Sequence, residues 1–248
     1  MLDIFTIFEL IIFFGSGLAH GIIGFGFPMV ATPMLSTFMS VKESVLHTLF
    51  PTMSVNANVL KKSGNFKAVF SEYRYLIIAV LVGSFVGTNF LIIFYNDIYI
   101  LLLALVILLY LNTAKINLSL YDTIQQNPRI MMLFFGFTSG IISGLVNIMI
   151  PVLIIYILES KIDKEKALVV MNSCFLTSKA LQILIFGTYG SFSWPFLAFM
   201  IPVVGTSLFG LFLGTKLRHK LDEELYKKIL RLSLWGLAFY LIANYFLK

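Results

Sequence analysis

The sequence predicts an all-α, polytopic membrane protein of two four-block helical repeats, each opening with a broken helix that turns back on itself. Three observations carry that prediction. The 248 residues are 59% hydrophobic and only 12% charged, with a mean hydropathy of +0.94, whereas soluble domains hold roughly 25% charged residues. The apolar residues gather into eight blocks, most near the ~20 residues that a helical span needs. And a glycine- and proline-rich stretch in the first block returns in the fifth.

The first block, 4–39, holds Ser16-Gly17-Leu18-Ala19-His20-Gly21-Ile22-Ile23-Gly24-Phe25-Gly26-Phe27-Pro28, with Pro33 beyond. Glycine loosens a helix and proline removes a backbone donor, so this block is no single straight helix. One helix of its length would reach ~54 Å, against a ~30 Å hydrocarbon core. Freed backbone groups in lipid must be satisfied by protein or by a water-filled cavity, so the break is a candidate ligand site. The blocks that follow are 44–60, 75–95, 98–112, 130–158, 166–186, 194–214 and 229–247. They divide the one transmembrane domain, 1–248, into repeat one at 4–112 and repeat two at 130–247.

The two repeats align by eye. Ser16-Gly17, Gly21 and Pro28 recur as Ser139-Gly140, Gly144 and Pro151; Val41-Lys42-Glu43 is matched by Asp163-Lys164-Glu165. Later, Gly83, Gly87 and Thr88 answer to Gly210, Gly214 and Thr215. Gly83-x-x-x-Gly87 and Gly210-x-x-x-Gly214 are small-residue pairs suited either to a homodimer interface or to packing within one chain.

Charge sets the expected topology. The net charge of +6 comes from basic residues in short loops, which is the mark of cytoplasmic loops rather than of a nucleic-acid surface. If all eight blocks crossed once, the basic loops of the two halves would face opposite sides. If blocks 4–39 and 130–158 return to their starting side, one face collects 14 of the 18 Lys and Arg residues, at 61–74, 115–129, 161–166 and 216–228. The other face keeps Lys42 and Lys248. The expectation is therefore three net crossings per half, inverted repeats, and both termini outside. Asp3 and Glu9 near the start, and the length of the block, argue against a cleavable signal peptide. The one cysteine, Cys174, leaves no disulfide and no cysteine cluster, and neither metal nor cofactor is expected.

The polar residues inside the blocks are the candidate site. Pro28 and Pro151 suit the first turn of a half-helix, whose amino end beside Gly24 and Gly26, or beside Asn147, offers N–H groups and partial positive charge to an anion. Lys179 lies deep in its block, where a charge costs at least ~2.5 kcal/mol, and is read as functional rather than snorkelling. Asn56, Thr52, Asn172 and Ser178 offer amides and hydroxyls, with Asn56 aligned within one residue of Ser178. His20 lies on the break, where Ser143 replaces it in repeat two; it is read evenly as a ligand or relay and as an ordinary buried polar group, and His47 is a weaker candidate. Glu9 is the only acidic residue inside a block, and a cation path would need carboxylates at depth. The inventory therefore suits a small anion. No His-Glu-x-x-His, Gly-x-Ser-x-Gly or intramembrane aspartate pair exists, so no enzyme is expected.

Gly21-x-x-Gly24-x-Gly26-x-Pro28 with Pro33-Met34-Leu35, and the closing Gly214-Thr215-Lys216-Leu217, resemble the sulfite exporter TauE/SafE family over nearly the whole chain. The resemblance implies a bacterial-type inner-membrane permease of two repeats that moves small anions such as sulfite, sulfoacetate or other organosulfonates, often outward. Phe27 stands where another glycine is common, and repeat two keeps only Gly140, Gly144 and Pro151. The expected function is a secondary transporter, an exporter, working by alternating access between the repeats. A passive anion channel or a non-transporting scaffold is the alternative.

Overall fold

A computed structural model describes residues 4–63, 66–113, 120–218 and 223–247, without the side chains of 223–227. Lys115, Lys220 and Lys248, counted above among the basic loops and ends, lie outside the described residues, as does the side chain of Lys227. The described residues form twelve helices and no strand: α1 (Ile4–Ile23), α2 (Phe27–Leu35), α3 (Val41–Lys61), α4 (Phe66–Glu72), α5 (Arg74–Ile93), α6 (Tyr99–Asn112), α7 (Tyr121–Gln126), α8 (Pro128–Val146), α9 (Ile150–Glu159), α10 (Lys164–Thr188), α11 (Trp194–Leu217) and α12 (Glu223–Leu247). Six of them carry windows long and apolar enough to cross a membrane: α1, α5, α8, α10, α11 and the 228–247 part of α12. Large apolar side chains such as Leu105, Leu184 and Ile201 stand exposed, while polar side chains such as Ser84, Asn172 and Lys179 are fully buried. That is the sorting a lipid solvent imposes, because buried polar groups find partners only inside the bundle.

Each broken block has a long arm and a short one. α1 and α8, at 20 and 19 residues, reach ~30 Å; α2 and α9, at 9 and 10 residues, reach about half as far. The prolines sit one place later than the first helical position, since α2 begins at Phe27 and α9 at Ile150.

Helix directions follow from who meets whom. α1 lies parallel to α11, with Gly17 against Ser207 and Leu211 and Gly21 against Leu211 and Thr215. α5 lies parallel to α8, with Gly83 against Phe137 and Ile141 and Gly87 against Ile141 and Gly144. A Cβ on any of these glycines would stand 2.2–2.5 Å from backbone of the facing helix, so their absent side chains are what lets the helices approach. The Gly83/Gly87 and Gly210/Gly214 pairs are thus used within the chain rather than offered to a second copy.

His47 meets Phe196 and Phe199 near the start of α11, and Val59 and Lys62 share a cavity with Arg218 at its end, so α3 is parallel to α11. α1 and α3 therefore point the same way, and α2 between them runs back. On the other side, Lys166 Nζ lies 3.4 Å from Glu72 just before α5, Ser178 bonds Ser84 midway, and Tyr189 bonds Asn89 at the far end. α5, α8 and α10 therefore run together, and α9 runs back. Phe50 of α3 meets Phe192 beyond the end of α10, while Val59 meets Asp163 and Val169 at its start; α3 and α10 are antiparallel.

The caps offer a register for the expected repeat. Ser40 caps α3 through the Glu43 N–H, in a reciprocal capping box, and Asp163 caps α10 through the Lys166 N–H. Ser40 and Asp163 are 123 residues apart, as are Gly21 and Gly144. Asn56 then corresponds to Lys179, one place from the Ser178 read by eye.

Candidate functional site

The first break is built by two residues in the left-handed region. Gly24 and Gly26 both have φ +96, which a side chain would strain. The chain turns there and is tied to His20: the Gly24 N–H donates to the His20 carbonyl at 2.6 Å, and the Phe27 N–H donates to His20 Nδ1 at 3.3 Å. His20 is fully buried. Because Nδ1 accepts, the neutral ring carries its proton on Nε2, and that atom has no hydrogen-bond partner among the described residues. Asn172 of α10 locks the same turn by donating its amide to the Gly24 carbonyl at 2.9 Å. It lies near the His20 ring, yet its Oδ1 is unpartnered as well.

The second break reaches the same turn with a different residue. Asn147 takes φ +65, a conformation asparagine tolerates better than most side chains. Its amide donates to Thr32 of α2 at 2.8 Å and to Thr48 of α3. Each break is therefore held by the other half's helices. They also adjoin directly, since a Cβ on Gly26 would meet Ile150 at 3.5 Å.

Lys179 belongs to a third cluster, against the last turn of α8. Its Nζ donates to Gln182 Oε1 at 2.6 Å and to Ser143 Oγ at 3.2 Å, and Gln182 Nε2 donates to the Ser143 carbonyl at 3.0 Å. Ser178 bonds Ser84 at 2.7 Å and Ser143 at 3.3 Å. The lysine is fully buried, so it does not snorkel to an interface, and no carboxylate pairs with it among the described residues. A buried cation without a counter-charge is costly, and such groups are kept where a ligand supplies the opposite charge.

The structure brings together His20, Gly24, Gly26, Pro28 and Asn172 at one break, Asn147 and Pro151 at the other, and Ser178 with Lys179. Asn56 and Thr52 bond one another within α3, Asn56 Nδ2 to the Thr52 carbonyl at 2.6 Å, with Asn56 Oδ1 and Thr52 Oγ1 buried and unpartnered. His47 stands apart, 3.2 Å from Glu9 of α1 and edge-on to Phe196. Sequence reasoning missed Thr32 and Ser84, which carry no signal in an apolar run. It gave no role to Thr48, nor to Gln182, which stands three residues from Lys179 on the same helix face.

Polar and cationic groups enclosed between two broken hairpins, inside a bundle with apolar flanks, define a polytopic membrane transporter of the broken-helix kind. More particularly, residues 9–241 match the family model described as Sulfite exporter TauE/SafE. The chain belongs to that family of membrane permeases. Searches of curated proteins and of solved structures returned no match.

Proposed function

We propose that the protein is a secondary transporter that exports a small anion, sulfite or an organosulfonate such as sulfoacetate, by alternating access. The carrying observation is Lys179: a fully buried lysine whose amino group meets only neutral oxygens among the described residues. An anion at this place would complete its charge balance and accept a further hydrogen bond from Ser178, which already lies against Ser143. Family membership supports the sulfur-oxyanion class.

In this reading the halves are inverted repeats in the membrane. Support comes from direction: α1, α3 and α11 point one way, while α8, α10 and α5, their counterparts, point the other. The loops at one end carry Lys62, Lys166 and Arg218, so that end faces the cytoplasm of a bacterial-type inner membrane and the termini lie outside. Rocking of one half against the other would then move the breaks and the Lys179 cluster between two accesses. Cysteines at Ser63 and Asp97 test the orientation. An impermeant thiol reagent added outside should label the second and spare the first; the reverse would overturn it.

Purified protein in liposomes should take up sulfite saturably, with sulfoacetate competing, and Lys179→Ala should lower the rate at least tenfold. A non-saturating conductance would point to a channel instead. A Lys179→Ala protein that transports like the wild type would remove the centre of the proposal.

A further inference from the structure

Two adjoining cavities lie at the basic end of the bundle. The outer one, about 550 Å³, is lined by Asp163, Glu165 and Lys166 together with Lys62 and Arg218. The inner one, about 110 Å³, runs past Lys62, Arg218, Asn58 and Thr215 to His20 and Gly24. Lys62 and Arg218 line both, together with apolar Val59 and Leu168, and supply the charge where the chambers adjoin. The acidic side chains belong to the outer chamber only, and Lys166 is turned to Glu72 at 3.4 Å. Beyond the neck the polar lining is Asn58, Thr215 and the buried His20, set among apolar Val59, Leu168 and Leu211, with no acidic side chain. The inner volume suits about three or four water molecules, which is also the scale of a small oxyanion.

The other half has no such neck. The 123-residue spacing carries Lys62 onto Ile185 and Asn58 onto Leu181, and the 127-residue spacing of Gly83 and Gly210 carries Arg218 onto Leu91; Ile185 and Leu91 are buried and apolar.

We infer that Lys62 and Arg218 form a one-sided capture neck for a small oxyanion, admitting it from the basic face and passing it to His20. The inference rests on the anion-transport reading and gives it a direction. Two like charges at the narrow part of a low-dielectric funnel concentrate anions and repel cations. Arg218 offers a planar fork for two oxygens, and Lys62 a mobile point charge.

The test uses the whole chain with Cys174→Ser and Asn58→Cys, so that one thiol lies just inside the neck. A negatively charged methanethiosulfonate should modify it faster than its positively charged counterpart by on the order of tenfold, and the preference should shrink as salt rises. Adding Lys62→Gln and Arg218→Gln should bring the two rates together. Equal rates in the parent, a preference that survives the double change, or no modification at all would each overturn the neck. If Asn58→Cys does not fold, Thr215→Cys lines the same chamber and gives the same readout. Reagent rates do not depend on transport: a chain that moves none of the anions but keeps the preference loses the transport reading alone, and one that transports without the preference loses only the neck.

Discussion

Replacing Lys179 by methionine separates a lysine kept for ligand from one kept for the fold. The substitution removes an amino group from the interior of α10 while keeping most of the side chain's length. A lysine at helix centre costs ~2.5–3.5 kcal/mol on the insertion scale, so its loss is a gain for folding. Against this, Gln182 Oε1 loses its 2.6 Å partner, and a buried acceptor left unmade costs ~1–3 kcal/mol. Ser143 Oγ keeps Ser178 at 3.3 Å, so no second orphan appears. The two effects nearly cancel, leaving a change within about 1 kcal/mol, or a Tm shift of less than ~4 °C for a chain of this size. Thermal unfolding in detergent should therefore show a near-native melt, while sulfite uptake in liposomes falls at least tenfold. Lys179→Met with Gln182→Leu removes the orphan too and should melt above the single variant. Two results would refute the reasoning: a fall of more than ~10 °C in Lys179→Met, which would make the lysine structural, or uptake equal to the wild type.

Gly144→Ala places a Cβ 2.5 Å from the Thr88 backbone nitrogen and should cost ~1–3 kcal/mol in the same melt. Gly205→Ala, whose Cβ would meet nothing within 4 Å, should be neutral or stabilise by up to ~1 kcal/mol. Asn147→Ala loses both threonine contacts and strains the left-handed turn by ~1–2 kcal/mol, while Asn147→Gly keeps the turn and should melt between it and the wild type. Ser40→Ala breaks the capping box of α3 and should lower stability by about 1 kcal/mol.

Both breaks could be read from the chain because glycine and proline constrain the backbone locally. Gly24, Gly26 and Pro28 announce the first, and Gly144, Asn147 and Pro151 the second. Lys179 was legible for a similar reason, since one charge in an apolar run has no ordinary explanation. The partners of these residues were not. Thr32 holds Asn147 across 115 positions and Ser84 holds Ser178 across 94, and nothing in either local pattern marks the contact. Lys62 and Arg218 read as ordinary loop charges until two helix ends brought them to one neck. The repeat register was seen by eye, but only the caps at Ser40 and Asp163 set Asn56 against Lys179.

By itself the sequence determined which solvent the chain lives in, where its helices run, where two of them break, and that the polar interior favours an anion. These follow from composition and local stereochemistry, which need no knowledge of neighbours. Only the tertiary structure decided that the glycine pairs close α1 on α11 and α5 on α8 within one chain. It alone decided that each break is braced by the opposite half. Small-residue faces are equally fit for many partners, and side-chain complementarity spread over whole helices selects among them.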